Sequence, residues 1–210
     1  MVASESQLVL ASSSPRRRML MERFGIDFAV MPADIDETPQ IGEEADAYVE
    51  RLALEKAIAV RHRLSRDDEL SEEFEFPGLT VLAADTTVAL DGVILGKPED
   101  ADDAIRTLTS LSGRTHQVHT GIAVATALGS YSRVVTSNVT MLPLDPSLIV
   151  WYVRTGEPFD KAGSYAIQER AAAFVSKVEG SMDNVVGLPM IETIALLHQA
   201  GLAVSYRFSA

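Results

Sequence analysis

Asp85 stands inside the apolar run at 80–90, TVLAADTTVAL. An unpaired carboxylate is expensive to bury, so this one must lie at a strand end, be hydrogen-bonded or hold a metal, and all three suit a group that activates water. The competing reading is a structural aspartate bonded to backbone or to the Thr86 and Thr87 hydroxyls at a bend. A second feature is VLASSSPRRR at 9–18. Arginines at a helix start oppose the backbone dipole by roughly 0.3–1 kcal/mol each, and nothing nearby in sequence offsets them. A bound anion would do so, because free backbone N–H groups, serine hydroxyls and a forked guanidinium would converge on it. A capped surface helix whose arginines reach acidic neighbours fits the same residues.

Two lysines are similarly ambiguous. Lys56 shares a helical row with Val49, Leu52, Ala53 and Val60, so its stem follows an apolar stripe while its ammonium seeks either an anion or solvent. Lys97, in GKP, sits between a strand and a helix, where loops present binding groups, although Gly and Pro punctuate loops of every kind. The stretch EPFDKAGSYAIQ at 157–168 places Asp160, Lys161, Gly163 and Gln168 in a loop suited to a polar ligand; Asp160 and Lys161 also read as a surface ion pair. The connection GSMDNVVGLP at 180–189 reads as a structural loop. His116 and His119, three apart in a predicted strand, face opposite ways and make a poor metal pair, and His62 and His198 lie on helices with no partner motif. The P-loop, dinucleotide, nucleophile-elbow and HExxH motifs are absent.

The elements that must position these groups alternate in type. A strand at 8–11 leads through the serine loop into a helix at 15–24, stopped by Gly25. A short strand at 28–31 precedes the acidic loop Asp34-Ile35-Asp36-Glu37, and a long helix follows at 43–64. Strands at 80–90 and 93–95 flank Asp91-Gly92, a strong hairpin signal. A helix at 101–111, strands at 115–126 and 131–142, a helix opened by Asp145-Pro146 and closed by Gly156, and a strand at 172–178 come next. A helix at 190–200 and an edge strand at 203–208 finish the chain, and the acidic segment 65–77 reads as a solvated loop. Mixed hairpins and crossovers indicate an α/β or α+β class with a mixed sheet, α/β being the one expected.

Composition narrows the function. With 47% hydrophobic and 23% charged residues the 210-residue chain is an ordinary globular protein, read as a single domain over 1–210. No apolar run is long enough to span a membrane, and the run before Ser12 is too short for a secretory core, so a cytoplasmic protein is expected. Zero cysteines exclude thiolate chemistry and leave oxygen and nitrogen ligands for any metal, with Mg²⁺ a natural candidate. A net charge of −12 argues against nucleic acid as a partner, so any phosphate is handled at one concentrated site.

In order, LASSSPRR, AADTTVALDGVILGKPEDADDA, LSGRTHQVHTGIAV, EPFDKAGSYAIQ and GSMDNVVGLPM closely resemble the Maf family of nucleoside triphosphate pyrophosphatases, from about Leu8 to Leu197. The resemblance implies a two-lobed Maf/ITPase-like fold, with a long curved mixed β-sheet flanked by helices and a central cleft, often as a homodimer. It implies hydrolysis of a nucleoside triphosphate to monophosphate and pyrophosphate with a divalent metal, Mg²⁺ or Mn²⁺. By motif, Asp85 is similar to the proton acceptor, and Arg16, Thr86 and Gln168 to the residues that set substrate choice. Ser12, Ser14, Arg16, Lys56, Lys97 and Lys161 fit the phosphate contacts, and Asp36, Glu37 and Asp85 the metal ligands; Arg17 and Arg18 are expected to be neighbours or surface charge. The DKAGxYxIQ form resembles the subfamily acting on dTTP and UTP, with modified pyrimidine triphosphates as further candidates. A 7-methyl-GTP pyrophosphatase, whose subfamily has a different segment there, and a non-catalytic nucleotide-binding regulator of septum formation are the alternatives. Glu169 stands where the family usually has Gly, and Arg18-Met19-Leu20 where a glutamate is common.

Overall fold

The computed structural model describes residues 8–66 and 78–204. Its chain order is β1 (Leu8–Leu10), α1 (Pro15–Arg23), β2 (Ala29–Val30), α2 (Ala45–Arg66), β3 (Thr80–Leu90), β4 (Val93–Leu95), α3 (Ala101–Leu111), β5 (Thr115–Thr126), β6 (Gly129–Met141), α4 (Pro146–Arg154), β7 (Val175–Glu179), α5 (Met182–Val186) and α6 (Met190–Gln199). One seven-stranded mixed sheet runs β2-β1-β3-β5-β6-β7, with β4 also on β3. Among the described residues no helix is long and apolar enough to cross a membrane.

β3 is the spine. Along one edge it pairs continuously with β5, antiparallel, from Val81 to Ala89. Along the other edge it pairs with β1, parallel, only at Thr80–Leu82, and with β4, antiparallel, only at Val88–Leu90. Residues 83–87 therefore have no strand beside them on that edge among the described residues. The same division appears in the core. Val81 and Ala83 pack with Ala53, Ala57 and Leu64 of α2 on one face, while Leu82 and Ala84 pack with Leu20, Leu188 and Leu196 on the other. Val88 and Leu90 belong to a separate cluster with Leu108, Tyr152 and Phe174. The fold is thus mixed α/β in two lobes, and β3 crosses between them at the gap.

Helix α2 is seated unusually close to the sheet. A Cβ at Gly121 of β5 would meet the Val49 carbonyl oxygen at 2.2 Å, so no larger residue fits there. Gly121 is the cross-strand partner of Asp85, and Lys56 lies two turns beyond Val49 on α2. One missing side chain thereby brings the helix row within reach of the mid-strand carboxylate.

Several boundaries differ from the reading of the sequence. Helix α2 starts at Ala45 because Glu43 turns back to accept from the Gln40 N–H and to bind Arg51. The strand placed at 172–178 starts only at Val175: Arg170–Phe174, with no β-branched side chain to favour extension, forms a 3₁₀ turn. The segment taken as a loop at 180–189 contains α5, capped by Ser181 and ended by Gly187 at φ 119°. Residues 67–77 of the acidic segment and 205–208 of the edge strand lie outside the described residues.

Candidate active site

A cleft of about 760 Å³ opens at the gap beside β3. Period-two alternation sends Asp85 and Thr86 to opposite faces of the strand, and the open edge lets both line this one cavity.

On the α2 face, Lys56 Nζ donates to Asp85 Oδ1 at 2.6 Å and lies 2.7 Å from Glu37 Oε1. Lys56 and Asp85 are buried, 7% exposed each, so Asp85 is neither at a strand end nor bonded to the Thr86 or Thr87 hydroxyls; its partner is an ammonium. The loop carrying Glu37 is fastened to α2, with Tyr48 Oη donating to the Glu37 carbonyl at 2.9 Å and Arg51 to the Thr38 carbonyl at 3.3 Å. Burial works against the Glu37 carboxylate, but the Lys56 hydrogen bond and the charges of Lys56, Lys97 and Arg17 hold its pKa below the usual range. Burial, with Asp85 and Glu37 nearby, pushes the Tyr48 phenol up to about 12.

On the other face, Ser14 caps α1 and Pro15 opens it. Arg17, expected to be a neighbour or surface charge, is a buried neighbour at the centre of a hydrogen-bond network. Its Nε donates to the Gly187 carbonyl at 2.8 Å, Nη1 to Ser12 Oγ at 3.2 Å and Nη2 to Thr86 Oγ1 at 3.0 Å. Desolvation lowers its pKa, with Asp85 pulling the other way. Helical rotation explains the placement: of three consecutive arginines Arg17 turns inward, Arg18 pairs outward with Glu22 at 2.7 Å, and Arg16 lies at the cleft rim, 3.7 Å from Asp160.

The third wall is the turn after α4. Lys161 is 6% exposed. It donates to the Glu157 carbonyl at 2.7 Å and to Asp160 Oδ1 at 2.6 Å, with Glu169 3.5 Å away. Beneath it the buried Glu157 accepts from Tyr152 Oη at 2.9 Å and from Arg170 Nη1 at 3.1 Å. Lys97 and Gln168 line the cleft from exposed positions, and Lys97 makes no hydrogen bond or ion pair among the described residues.

The structure therefore brings together Ser12, Ser14, Arg16, Lys56, Asp85, Thr86, Lys97, Lys161, Gln168 and Glu37. It does not bring Asp36, which is exposed and accepts from the Thr38 N–H at 2.9 Å. Asp36 belongs to an Asx turn that aims its neighbour Glu37, and among the described residues no three carboxylates or histidines are grouped to share an ion. His116 and His119 are structural, on Tyr165 Oη at 2.7 Å and Thr136 Oγ1 at 2.9 Å. Sequence reasoning missed Arg17, Tyr48, Thr120 and Gly187. Tyr48 had a signal, standing two turns before Lys56 on the same row of α2; Arg17 and Gly187 lay inside stretches singled out above without a site role assigned to them, and Thr120 had no signal.

A mixed α/β sheet interrupted over a cleft with arginine, lysine and carboxylate walls defines a class of protein built to hold a polyanion and act on it. The chain belongs to the Maf family: the family described as Maf-like protein matches residues 7–200. It is 52% identical, over all of both chains, to a Myxococcus xanthus protein named dTTP/UTP pyrophosphatase. An Anaeromyxobacter protein of the same name is 50% identical over 93% of this chain and 90% of its own. A third, from Aromatoleum aromaticum, is 45% identical over 94% and 97%. The solved Staphylococcus aureus Ham1 protein covers 92% of this chain and 99% of its own at 15% identity and TM-score 0.49, a likeness too loose to bear on function.

Proposed function

We propose that this chain hydrolyses pyrimidine nucleoside triphosphates, dTTP and UTP above all, to the monophosphate and pyrophosphate. The observation that carries the reading is the Lys56 ammonium bridging Glu37 and Asp85 at the cleft floor, within a cavity whose rim holds Arg16 and Lys97. The names of the 45–52% identical relatives support the substrate class.

Asp85 is the base. Its Oδ1 is held by Lys56, and its Oδ2, with no hydrogen bond among the described residues, is the atom that takes the proton of a water attacking the α-phosphorus. Lys56, Lys97 and Arg16 offset the negative charge of the triphosphate and of the departing pyrophosphate. Ser12 and Ser14 edge the same loop and orient the phosphates, while Thr86 and Gln168 face the nucleoside. Glu37 and Asp85 supply two hard oxygen donors beside Lys56, a donor set that suits Mg²⁺ or Mn²⁺ when phosphate oxygens and water complete the shell. A divalent ion held there would neutralise charge developing on the leaving group.

The test is pyrophosphate release from a panel of normal, modified and 7-methylated triphosphates with Mg²⁺ or Mn²⁺, comparing wild type with Asp85→Asn. Turnover of dTTP and UTP, reduced about 10²- to 10⁴-fold in the variant, is expected for loss of a general base. Absence of turnover with every triphosphate refutes the enzyme; equal turnover by the variant refutes the role of Asp85.

A further inference from the structure

Glu37 reaches the cleft floor from a stretch with little structure of its own. It stands in residues 31–44, which form no helix or strand between β2 and α2, a length that compact domains rarely leave irregular without a function. Its side chain is 49% exposed, and Lys56, at 2.7 Å, is its one ion-pair partner among the described residues. On a free loop, most of such an attraction would be lost to conformational entropy. The loop is not free. Arg51 donates from Nε and Nη2 to the two carboxylate oxygens of Glu43, at 2.7 and 2.8 Å, and from Nη2 to the Thr38 carbonyl at 3.3 Å. Its guanidinium sits over the Tyr48 ring, 5.7 Å from the ring centre, and the Tyr48 hydroxyl donates to the Glu37 carbonyl at 2.9 Å. Glu43 also accepts from the Gln40 N–H, and Asp36 from the Thr38 N–H, both at 2.9 Å. Two consecutive carbonyls, those of Glu37 and Thr38, are thereby tied to α2, and the Glu37 carboxylate has only its own side-chain torsions left to search. The helix is fixed in turn, since it carries Lys56 and is seated against β5 at Gly121.

We propose that Arg51, with Tyr48, is a positioning residue that holds Glu37 ready for the divalent ion by strapping the 36–43 loop to α2. The inference deepens the pyrophosphatase reading above and rests on it. Glu37 and Asp85 come from different elements, a loop and a strand, so both can serve one ion only while the loop is held against the helix. Both the charge and the shape of Arg51 are used. A guanidinium fork meets the two oxygens of Glu43 and still has an N–H for a carbonyl, whereas a lysine ammonium is a point charge on a flexible stem. An ion pair that merely started α2 would leave metal use where it was, because the helix is independently held in the core by Ala53, Ala57, Val60 and Leu64.

The experiment compares wild type, Arg51→Met, Arg51→Lys and Tyr48→Phe. Three quantities are read: UTP turnover against Mg²⁺ concentration, Mn²⁺ binding followed by electron paramagnetic resonance in the presence of α,β-methylene-UTP, and amide hydrogen exchange over residues 36–43. In Arg51→Met the half-saturating Mg²⁺ concentration and the Mn²⁺ dissociation constant should rise about tenfold or more, while kcat at saturating Mg²⁺ stays within about threefold of wild type and the loop amides exchange about tenfold faster. Tyr48→Phe removes only the tie to the Glu37 carbonyl and should move the same quantities the same way by about threefold, with Arg51→Lys between wild type and Arg51→Met. Loss of kcat at an unchanged metal requirement is the mark of simple destabilisation and overturns the proposal, as does unchanged exchange over 36–43. Tyr48→Phe decides alone, by the same readouts, if Arg51→Met does not fold. A wild type that turns over no triphosphate overturns the functional reading, whereas an active one whose metal requirement the variants leave unmoved overturns only the role of Arg51.

Discussion

The two faces of β3 that meet at the cleft are built in opposite ways. On the α2 face, one ammonium is shared between two carboxylates, and among the described residues Asp85 keeps one oxygen without a hydrogen bond and Lys97 has no partner. On the other face, Arg17 donates to Ser12, Thr86 and Gly187, Thr86 and Thr120 share a hydrogen bond, and Thr120 donates to the Asn184 carbonyl. An incompletely satisfied cluster can exchange a protein partner for substrate at little cost. A more densely bonded one resists exchange and holds a shape. Chemistry and selection are thereby divided between adjacent residues, 85 and 86, whose side chains alternation sends to opposite faces.

That division is broken most severely by substitutions whose effects fall on different quantities. Asp85→Asn, besides its loss of turnover, should leave the urea midpoint almost unchanged, since the amide still accepts from Lys56; a large loss of stability would mean that Asp85 is structural after all. Arg17→Met should do the reverse. It leaves Ser12, Thr86 and Gly187 without their donor, and a cost of about 2–4 kcal/mol in unfolding free energy is expected for a buried, multiply bonded charge. A near-normal denaturation curve would show the network to be dispensable.

Two lysines sharpen the contrast at smaller scale. Lys97 is exposed at the rim without a partner among the described residues, whereas the Lys161 ammonium is occupied by Glu157, Asp160 and Glu169. Lys97→Met should raise KM for UTP about tenfold with little change in stability, equivalent to losing one phosphate contact worth about 1.4 kcal/mol. Lys161→Met should cost about 1–2 kcal/mol of stability and shift KM by no more than about threefold. Steady-state kinetics paired with urea titration separates them, and a tenfold KM effect at Lys161 would restore it as a phosphate ligand.

Where local chemistry decided the structure, the sequence was legible. The bounds of β3, β4, α3 and β5 fall where the sequence placed them, since Asp91-Gly92, the Asp100 cap and Gly113 mark them in consecutive residues. The five residues of α5 are too few to show a period. Choosing among Arg16, Arg17 and Arg18 was beyond reach for another reason: the partners that draw Arg17 inward are 69 and 170 residues away, and a helix start does not announce which side its fold will cover. The same holds for Asp36 and Glu37, adjacent in sequence and separated only by a turn that takes one carboxylate and aims the other.

The last test concerns His116, which supports the selecting side without touching the reaction, so no effect on turnover is expected. Its Nε2 is 2.7 Å from Tyr165 Oη, a cleft-lining residue, while its Nδ1 is buried without a partner. Burial draws its pKa from 6.5 down to about 4, so the folded protein holds it neutral over a range in which the unfolded chain is protonated. With more protons bound in the unfolded state, stability rises with pH from about 4 to 6.5 and falls as the solution is acidified through that window. The contribution is at most about 3 kcal/mol, fully lost below the folded pKa. His116→Gln retains a polar group for Tyr165 but cannot titrate, so urea unfolding at pH 7, 5 and 4 should show a shallower acid loss in the variant, by about 2–3 kcal/mol across the window. Identical slopes would mean that the acid sensitivity lies in the carboxylates, Glu37 among them, whose depressed pKa makes its own contribution disappear only at lower pH. The order of the two losses on acidification, histidine first and carboxylate second, is then what distinguishes the wall of the cleft from its floor.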